Sequence, residues 1–303
     1  MRQFIVSDLH GNGNVYKSIM SYLENINLKE KVILYINGDL IDRGIESAEM
    51  LLDVKRRMIS GPFKIEYLGG NHELMMYQMF SKRVKGITMY DDIWFDNGGW
   101  VTDYGLEDFL KTKESILDLV SFIANLKIYH KFNEKIENKS IVLVHAACPI
   151  EVEDKCHLKI NDESNIEYMV WARENDPFLP FKCRIGNKNY FSIVGHSPNN
   201  NMYGCEYHQD WNYLNIDGGC AQYVSGLFDY NHVPLVEVKD GYLKIVTFNN
   251  NNEIIYGNYF VNGGFIPFSI EELEKERKCL DSNFKPKRLI HLSDGIVGYE
   301  DWR

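Results

Sequence analysis

The sequence has no apolar run long enough to cross a bilayer, no CxxC pair, no dense basic segment and no internal repeat. Each absence removes a class of protein. The stretch from Met1 to His10 carries only a short apolar run before a charged residue. It resembles neither a signal peptide nor a membrane span, so the default expectation is a cytoplasmic chain with no membrane partner. The six cysteines, Cys148, Cys156, Cys183, Cys205, Cys220 and Cys279, are scattered along the chain. That spacing fits reduced thiols better than a disulfide framework or a zinc knuckle. With 33 Lys+Arg against 43 Asp+Glu the formal charge is -10, and patches such as Lys55 to Arg57 or Lys285 to Arg288 read as solvated faces. Stable nucleic-acid binding, which depends on clustered cations, is therefore not expected. A phosphorylated substrate remains compatible, because bound divalent metals reverse the potential of an acidic cleft.

What is present is an ordinary core-forming composition, 45% hydrophobic and 25% charged over 303 residues. The first third alternates strand-type and helix-type runs, the pattern of a layered α/β domain. Strands are predicted at Gln3 to Ser7, Lys31 to Ile36 and Phe63 to Leu68, and helices at Asn14 to Asn25, Glu46 to Met58 and Glu73 to about Phe80. From Gly86 to His130 the chain is richer in aromatics (Tyr90, Trp94, Phe95, Trp100) and then carries one amphipathic helix pattern from about Leu106 to Leu126. This insertion reads equally well as a cap over a site or as a completion of the core. Strand-like runs return at Ile141 to Val144, Tyr190 to Val194, Tyr213 to Ile216, Val233 to Val238 and Leu243 to Phe248, and are expected to build a second sheet; the Asn-rich turn Asn249 to Asn252 between Leu243 to Phe248 and Ile254 to Phe260 predicts a terminal hairpin. A charged helix, Ser269 to Leu280, follows in the tail.

Each of the three early strands ends in a polar, glycine-containing turn, and strand carboxyl ends are where open α/β sheets place ligands. Asp8 and His10 lie two positions apart in extended chain, so their side chains share a face and can chelate one cation. In Gly38-Asp39-Leu40-Ile41-Asp42-Arg43-Gly44, a strand-end carboxylate can bridge two metals. A second can orient a proton donor, and the arginine offers a planar fork for phosphate oxygens. In Gly69-Gly70-Asn71-His72-Glu73 the Asn71 amide can ligate a hard cation, and His72 is a proton-donor candidate near neutral pH. His145 and His196 each follow an apolar strand and complete a nitrogen and oxygen donor set suited to Mn, Fe or Zn.

In this order DLHG, GDLIDRG, GNHE, HAA and GH resemble the calcineurin-like metallophosphoesterases, in particular the PPP-type serine/threonine phosphatases. The resemblance runs from Asp8 to His196. It implies an α/β fold, an αββα sandwich of two mixed sheets flanked by helices, over residues 1–263, with 264–303 as an extension of unknown role. It also implies a dinuclear site at strand ends. Asp8, His10 and Asp39 would hold one divalent metal; Asp39, Asn71, His145 and His196 would hold the other. Manganese is the first expectation, with iron or zinc as alternatives. Arg43 would grip phosphate, His72 would protonate the leaving oxygen, and Asp42 would hold His72. Trp171-Ala172-Arg173 resembles the place of a second phosphate-binding arginine, Arg173. Ala147 departs from the family's usual glycine.

The implied reaction is hydrolysis of phosphate monoesters by a metal-bridging hydroxide, most directly on a phosphorylated serine or threonine of a protein or on a small phosphoester. One alternative is symmetric cleavage of dinucleoside tetraphosphates such as diadenosine tetraphosphate. Family members devoted to that reaction tend to lack the equivalents of Asp42 and Glu73. A second alternative is a catalytically silent binding protein.

Overall fold

Strand residues alternate between two cores, and that alternation generates the layers. In β1 (Arg2–Val6) Phe4 and Val6 face one buried cluster while Ile5 faces another. In β2 (Val32–Asn37) Val32, Leu34 and Ile36 share the first face, and Ile33 and Tyr35 share the second. A strand buried on both sides needs a cover on each, here helices on one face and a second sheet on the other.

The computed structural model describes residues 1–87, 92–174, 185–199, 201–227 and 231–280, together with the strand backbone at 287–291 and 297–301. Tyr90, Cys183, Lys285, Trp302 and Arg303 lie outside those residues. Helix α1 (Gly13–Asn27) returns the chain from β1 to β2, and α2 (Ser47–Ser60) carries it on to β3 (Lys64–Leu68). The three strands pair in parallel. Helix α3 (Asn71–Val84) starts directly at the end of β3, followed by α4 (Asp92–Asp96), α5 (Gly99–Leu106) and α6 (Lys113–Ala124). The single helix expected over 106–126 is thus divided, because Leu106 ends one helix and Thr112 caps the next, accepting from the Ser115 N–H.

Then come β4 (Tyr129–Ile136), β5 (Lys139–Val144), α7 (Glu163–Trp171), β6 (Phe191–Val194), β7 (Glu206–His208), β8 (Tyr213–Asn215) and α8 (Cys220–Val224). The order is completed by β9 (Val233–Lys239), β10 (Tyr242–Phe248), β11 (Ile254–Val261), β12 (Gly264–Pro267), α9 (Ile270–Arg277), β13 (Lys287–His291) and β14 (Val297–Asp301). One sheet has the order β12-β11-β10-β9-β1-β2-β3 and the other β4-β5-β6-β8-β7, while β13 and β14 pair with each other. Both larger sheets mix parallel and antiparallel pairs. This is the expected sandwich of two mixed sheets with flanking helices.

One expectation is corrected. The strands after residue 232 do not belong to the second sheet; β9 pairs antiparallel with β1 and extends the first. Apolar alternation announces a strand but not its neighbour, and the choice is made by inward residues such as Val236, Val238, Leu243 and Ile245, which meet Ile141, Leu143 and Ile193 of the opposing sheet in one buried cluster. β12 pairs with β11, and from α9 the buried Glu276 accepts from Tyr22 of α1. The basic run Lys55 to Arg57 is partnered as expected of a surface, with Arg57 reaching Glu24 and Asp53 at 2.6 Å. Among the described residues no helix is long and apolar enough to cross a membrane.

Candidate active site

Strands that run parallel leave their carboxyl ends on one side, so the loops after β1, β2 and β3 meet there. They are laced by backbone hydrogen bonds: His10 N–H to Asp39 O and Gly11 N–H to Leu40 O at 2.9 Å, and Gly44 N–H to His10 O at 3.1 Å. The loops after β5 and β6 join from the second sheet, where the Gly195 N–H donates to His145 O at 2.7 Å. Six residues here adopt the left-handed conformation that side chains disfavour: Asp8 (φ 55), His10 (43), Asp39 (51), Asp42 (73), Arg43 (72) and His196 (66). Each such residue costs on the order of 1 kcal/mol, and non-glycine strain of this kind gathers at functional sites. Two glycines permit the close approach. A Cβ on Gly70 would sit 2.3 Å from Asp39 Oδ1, and one on Gly195 would sit 2.0 Å from Asp8 Oδ2.

Asp39 stands at the centre, buried, with its two carboxylate oxygens facing different neighbours. Oδ2 is 3.5 Å from His10 Nε2 and 3.8 Å from His72 Nε2, while Oδ1 is 3.3 Å from His145 Nε2. His145 Nε2 also lies 3.1 Å from Asn71 Oδ1. Two sets of donor atoms, His10, Asp39 and His72 on one side and Asp39, His145 and His196 on the other, each lie within 4.8 Å of one another and could each hold a cation. Three imidazoles are oriented by backbone carbonyls. The Nδ1–H of His10 donates to Ile41 O at 3.0 Å, that of His145 to Asn37 O at 2.8 Å, and the Nε2–H of His196 to Trp171 O at 3.1 Å. Each ring therefore has its other nitrogen available as a donor to metal, an arrangement that fixes tautomer and orientation in metal sites.

Sequence reasoning also placed Asp8 here. It is buried, its Oδ1 accepts from the His196 N–H at 3.0 Å and its Oδ2 from the Ser7 hydroxyl, and it belongs to neither of the close donor sets. The structure thus brings Asp8, His10, Asp39, Asn71, His145 and His196 to one place. Arg173 is exposed two residues beyond α7, and its charge reaches His196 and Asp217. It lines a cavity of about 270 Å³ beside His196, together with Glu174, Ser197, His208 and Tyr213.

Burial and neighbouring charge pull the central groups in different directions: burial and the cationic neighbours hold the His10 and His196 imidazoliums well below their ordinary value. Burial alone would lower the His145 imidazolium, yet the Asp39 and Asp8 carboxylates raise it to about 10. Burial would likewise push Asp39 up, but His145, His72 and His10 hold it well below the usual carboxylate range. Asp8 is raised by burial and by the neighbouring Asp217. A nitrogen and oxygen donor set with a carboxylate facing two ways, and two imidazoles held neutral, fits two divalent metal ions.

A second group adjoins this cluster. The His72 Nδ1–H donates to Asp42 Oδ2 at 2.7 Å, with both residues buried. Burial lowers the His72 imidazolium, but Asp39 and Asp42 outweigh it and raise it above its ordinary value. Arg43 follows Asp42, and its Nε is enclosed without a hydrogen-bond acceptor among the described residues. The buried thiols Cys148 and Cys220 are both pushed up to about 12 by burial, the opposite of a nucleophilic cysteine.

Sequence reasoning assigned no supporting role to the residues that hold these groups. Glu73 joins the second and third loops, accepting from the N–H groups of Asp39 (2.8 Å), Leu40 (3.1 Å) and Gly70 (2.8 Å) and from the Tyr67 hydroxyl (2.6 Å). Its signal was its place directly after His72. Asn37 links the sheets through Val144 O at 3.1 Å, and nothing in its sequence context distinguishes it.

Comparisons with known proteins give the family. The model of the calcineurin-like phosphoesterase family matches residues 1–236. The chain is similar to the solved structure of a protein serine/threonine phosphatase from Saccharomyces cerevisiae with similarity to human phosphatase PP5. That likeness has 16% identity, a TM-score of 0.52, and coverage of 82% of this chain and 79% of the other. A structure provisionally described as a diadenosine tetraphosphatase has 14% identity and a TM-score of 0.49, covering 81% of this chain and 93% of its own. At these identities the yeast structure speaks to the fold alone. No curated protein matches the chain.

Proposed function

Since the chain belongs to the calcineurin-like phosphoesterase family, we propose that it is a metal-dependent hydrolase of phosphate monoesters whose substrate is a phosphorylated serine or threonine side chain. Asp8, His10 and Asp39 hold one divalent cation in this reading, and Asp39, Asn71, His145 and His196 the other, with manganese the first choice for an N/O donor set. When bound, such a pair supplies Lewis-acid activation of water and neutralises charge at phosphorus. The chain's own residues do the rest. Arg43 presents a guanidinium to two phosphoryl oxygens, Arg173 offers a second from the rim, and His72 delivers a proton to the departing oxygen while Asp42 fixes its ring.

The observation that carries the choice of substrate is the buried Asp42–His72 pair at 2.7 Å. A serine or threonine alkoxide is a poor leaving group and must be protonated as it departs. A nucleotide released from a dinucleoside tetraphosphate leaves as a phosphate anion and has little need of an acid. A buried, oriented donor is therefore an investment suited to alkyl phosphate esters.

The test compares a phosphoserine peptide with diadenosine tetraphosphate, with Mn²⁺ returned after chelation. Faster turnover of the peptide is expected. His72→Asn should retain metal and lose roughly 10² to 10⁴ in rate on the peptide, the usual scale for a general acid, but less on p-nitrophenyl phosphate. Preferential cleavage of the tetraphosphate, or equal losses on the two monoesters, would reject the reading.

A further inference from the structure

The Asp42 carboxylate accepts from three side chains, and only one of them belongs to the loops that assemble the site. The Trp94 Nε1–H donates to Oδ2 at 2.7 Å, beside the bond from His72, and the Thr102 hydroxyl donates to Oδ1 at 2.5 Å. Thr102 Oγ1 also accepts the N–H of Asp42 itself at 3.0 Å. One hydroxyl thus closes a ring across the backbone and side chain of a residue held at φ 73, leaving the carboxylate little freedom to turn. Asp42, Trp94 and Thr102 are all fully buried.

The donors are themselves fixed. The Trp94 ring packs edge-on to Phe80 of α3 at 5.8 Å, and a Cβ on Gly99 would lie 2.4 Å from its indole atoms. Arg83 of α3 grips Asp103, the neighbour of Thr102, with bonds of 2.5 and 2.6 Å. The Arg43 N–H donates to Gly98 O at 3.2 Å, between the two helices. A buried indole N–H needs an acceptor, and a neutral carbonyl would satisfy it. The one it has is the carboxylate that orients the proton donor.

We propose that Trp94 and Thr102 are positioning residues for the proposed general acid: the 92–106 segment locks the Asp42 carboxylate, and through it the His72 ring, along the line of the departing oxygen. This rests on the reading of His72 given above. The insertion then contributes to the chemical step from behind the site, by restricting a carboxylate, without touching substrate.

The variants are Trp94→Phe, which keeps the ring and removes the N–H, and Thr102→Val, with Thr102→Ser as the conservative rescue. Metal-loaded enzyme is assayed on the phosphoserine peptide and on p-nitrophenyl phosphate, and the indole N–H resonance of Trp94 is followed in wild type and in Asp42→Asn. Trp94→Phe and Thr102→Val should each lower kcat on the peptide by roughly 10- to 100-fold, the scale of lost outer partners that orient a functional histidine. KM and metal content should hold, the loss on p-nitrophenyl phosphate should be smaller, and Thr102→Ser should restore the rate. The indole resonance should shift in Asp42→Asn. Equal losses on both substrates, or no loss, would overturn the proposal, as would an indole resonance indifferent to Asp42→Asn. Failure of the His72 reading is seen separately, as equal losses on the two substrates in His72→Asn.

Discussion

The two halves of the seven-stranded sheet use the same backbone device for different ends. In the antiparallel half, β11 and β12 are joined by Asn262 and Gly263, both at positive φ, between the paired residues Val261 and Gly264. This is the two-residue hairpin that Asn-Gly specifies. In the parallel half, left-handed residues follow β1 and β2 too, but besides Gly11 and Gly38 they are Asp8, His10, Asp39, Asp42 and Arg43. Asparagine and glycine tolerate that conformation, whereas aspartate pairs, histidine and arginine in such density do not adopt it without compensation. Parallel strands need long crossovers, so their ends can carry loops that are not mere reversals of direction, and the lacing between those loops balances the strain. Neither left-handed backbone nor one titratable residue on it marks a site, since Glu137 (φ 49) merely turns β4 into β5; the density of such residues after β1 and β2 does.

The largest expected effect breaks the comparison at Asp39. Because its oxygens face His10 and His72 on one side and His145 on the other, Asp39→Asn should weaken both proposed cation sites together. Turnover should fall by on the order of 10³-fold or more, along with metal stoichiometry measured after dialysis. Full retention of two metals in the variant would contradict the bridging role and reduce the strained loops to architecture.

Much of the parallel half was legible because the chemistry there is written in contiguous residues. GDLIDRG and GNHE each deliver several functional side chains from one turn, so spacing along the chain predicts spacing in space. The strands that were predicted lie within a residue or two of the observed ones, since alternation and apolar runs are local, whereas β4, β7 and β12 were not anticipated. Partnership was not legible. The side of the sandwich taken by β9 to β11 depends on which inward faces match, and the link from Trp94 to Asp42 spans 52 positions. The aromatic stretch was visible; the one polar atom of the Trp94 ring, aimed at a carboxylate, leaves no trace in hydrophobic pattern. Glu73 was visible as a letter in a motif, and its four donors only as geometry.

An intermediate effect is expected far from the strained loops, at the interface between the sheets. His130 of β4 packs against Tyr35 at 4.5 Å and Phe132 at 4.6 Å, and burial lowers its imidazolium from 6.5 to about 4. The folded state therefore binds a proton less readily than the unfolded chain. Between about pH 6.5 and pH 4 the unfolded state carries more protons. The contribution of neutral His130 is whole above that window and is lost as the pH falls through it, by at most about 3 kcal/mol. Denaturant unfolding of the wild type and His130→Phe across this range should show a shallower acid slope in the variant. Equal slopes would clear His130 of any share in acid sensitivity.

The smallest effect sharpens the comparison from the scaffold side. Gly241, in the turn between β9 and β10, has φ +86, and a Cβ placed there would meet nothing within 4 Å. Gly241→Ala therefore isolates backbone strain from packing, and should cost about 1 kcal/mol of unfolding free energy. The turn lies at the far edge of paired residues Lys239 and Tyr242 and shares no residue with the laced loops, so kcat and metal content should match the wild type. Left-handed strain of similar size is present at Asp39, where substitution is expected to abolish turnover. If Gly241→Ala lowered kcat while the melting curve stayed cooperative, the antiparallel half would be coupled to the site, and the division between scaffold turns and strained functional loops would not hold.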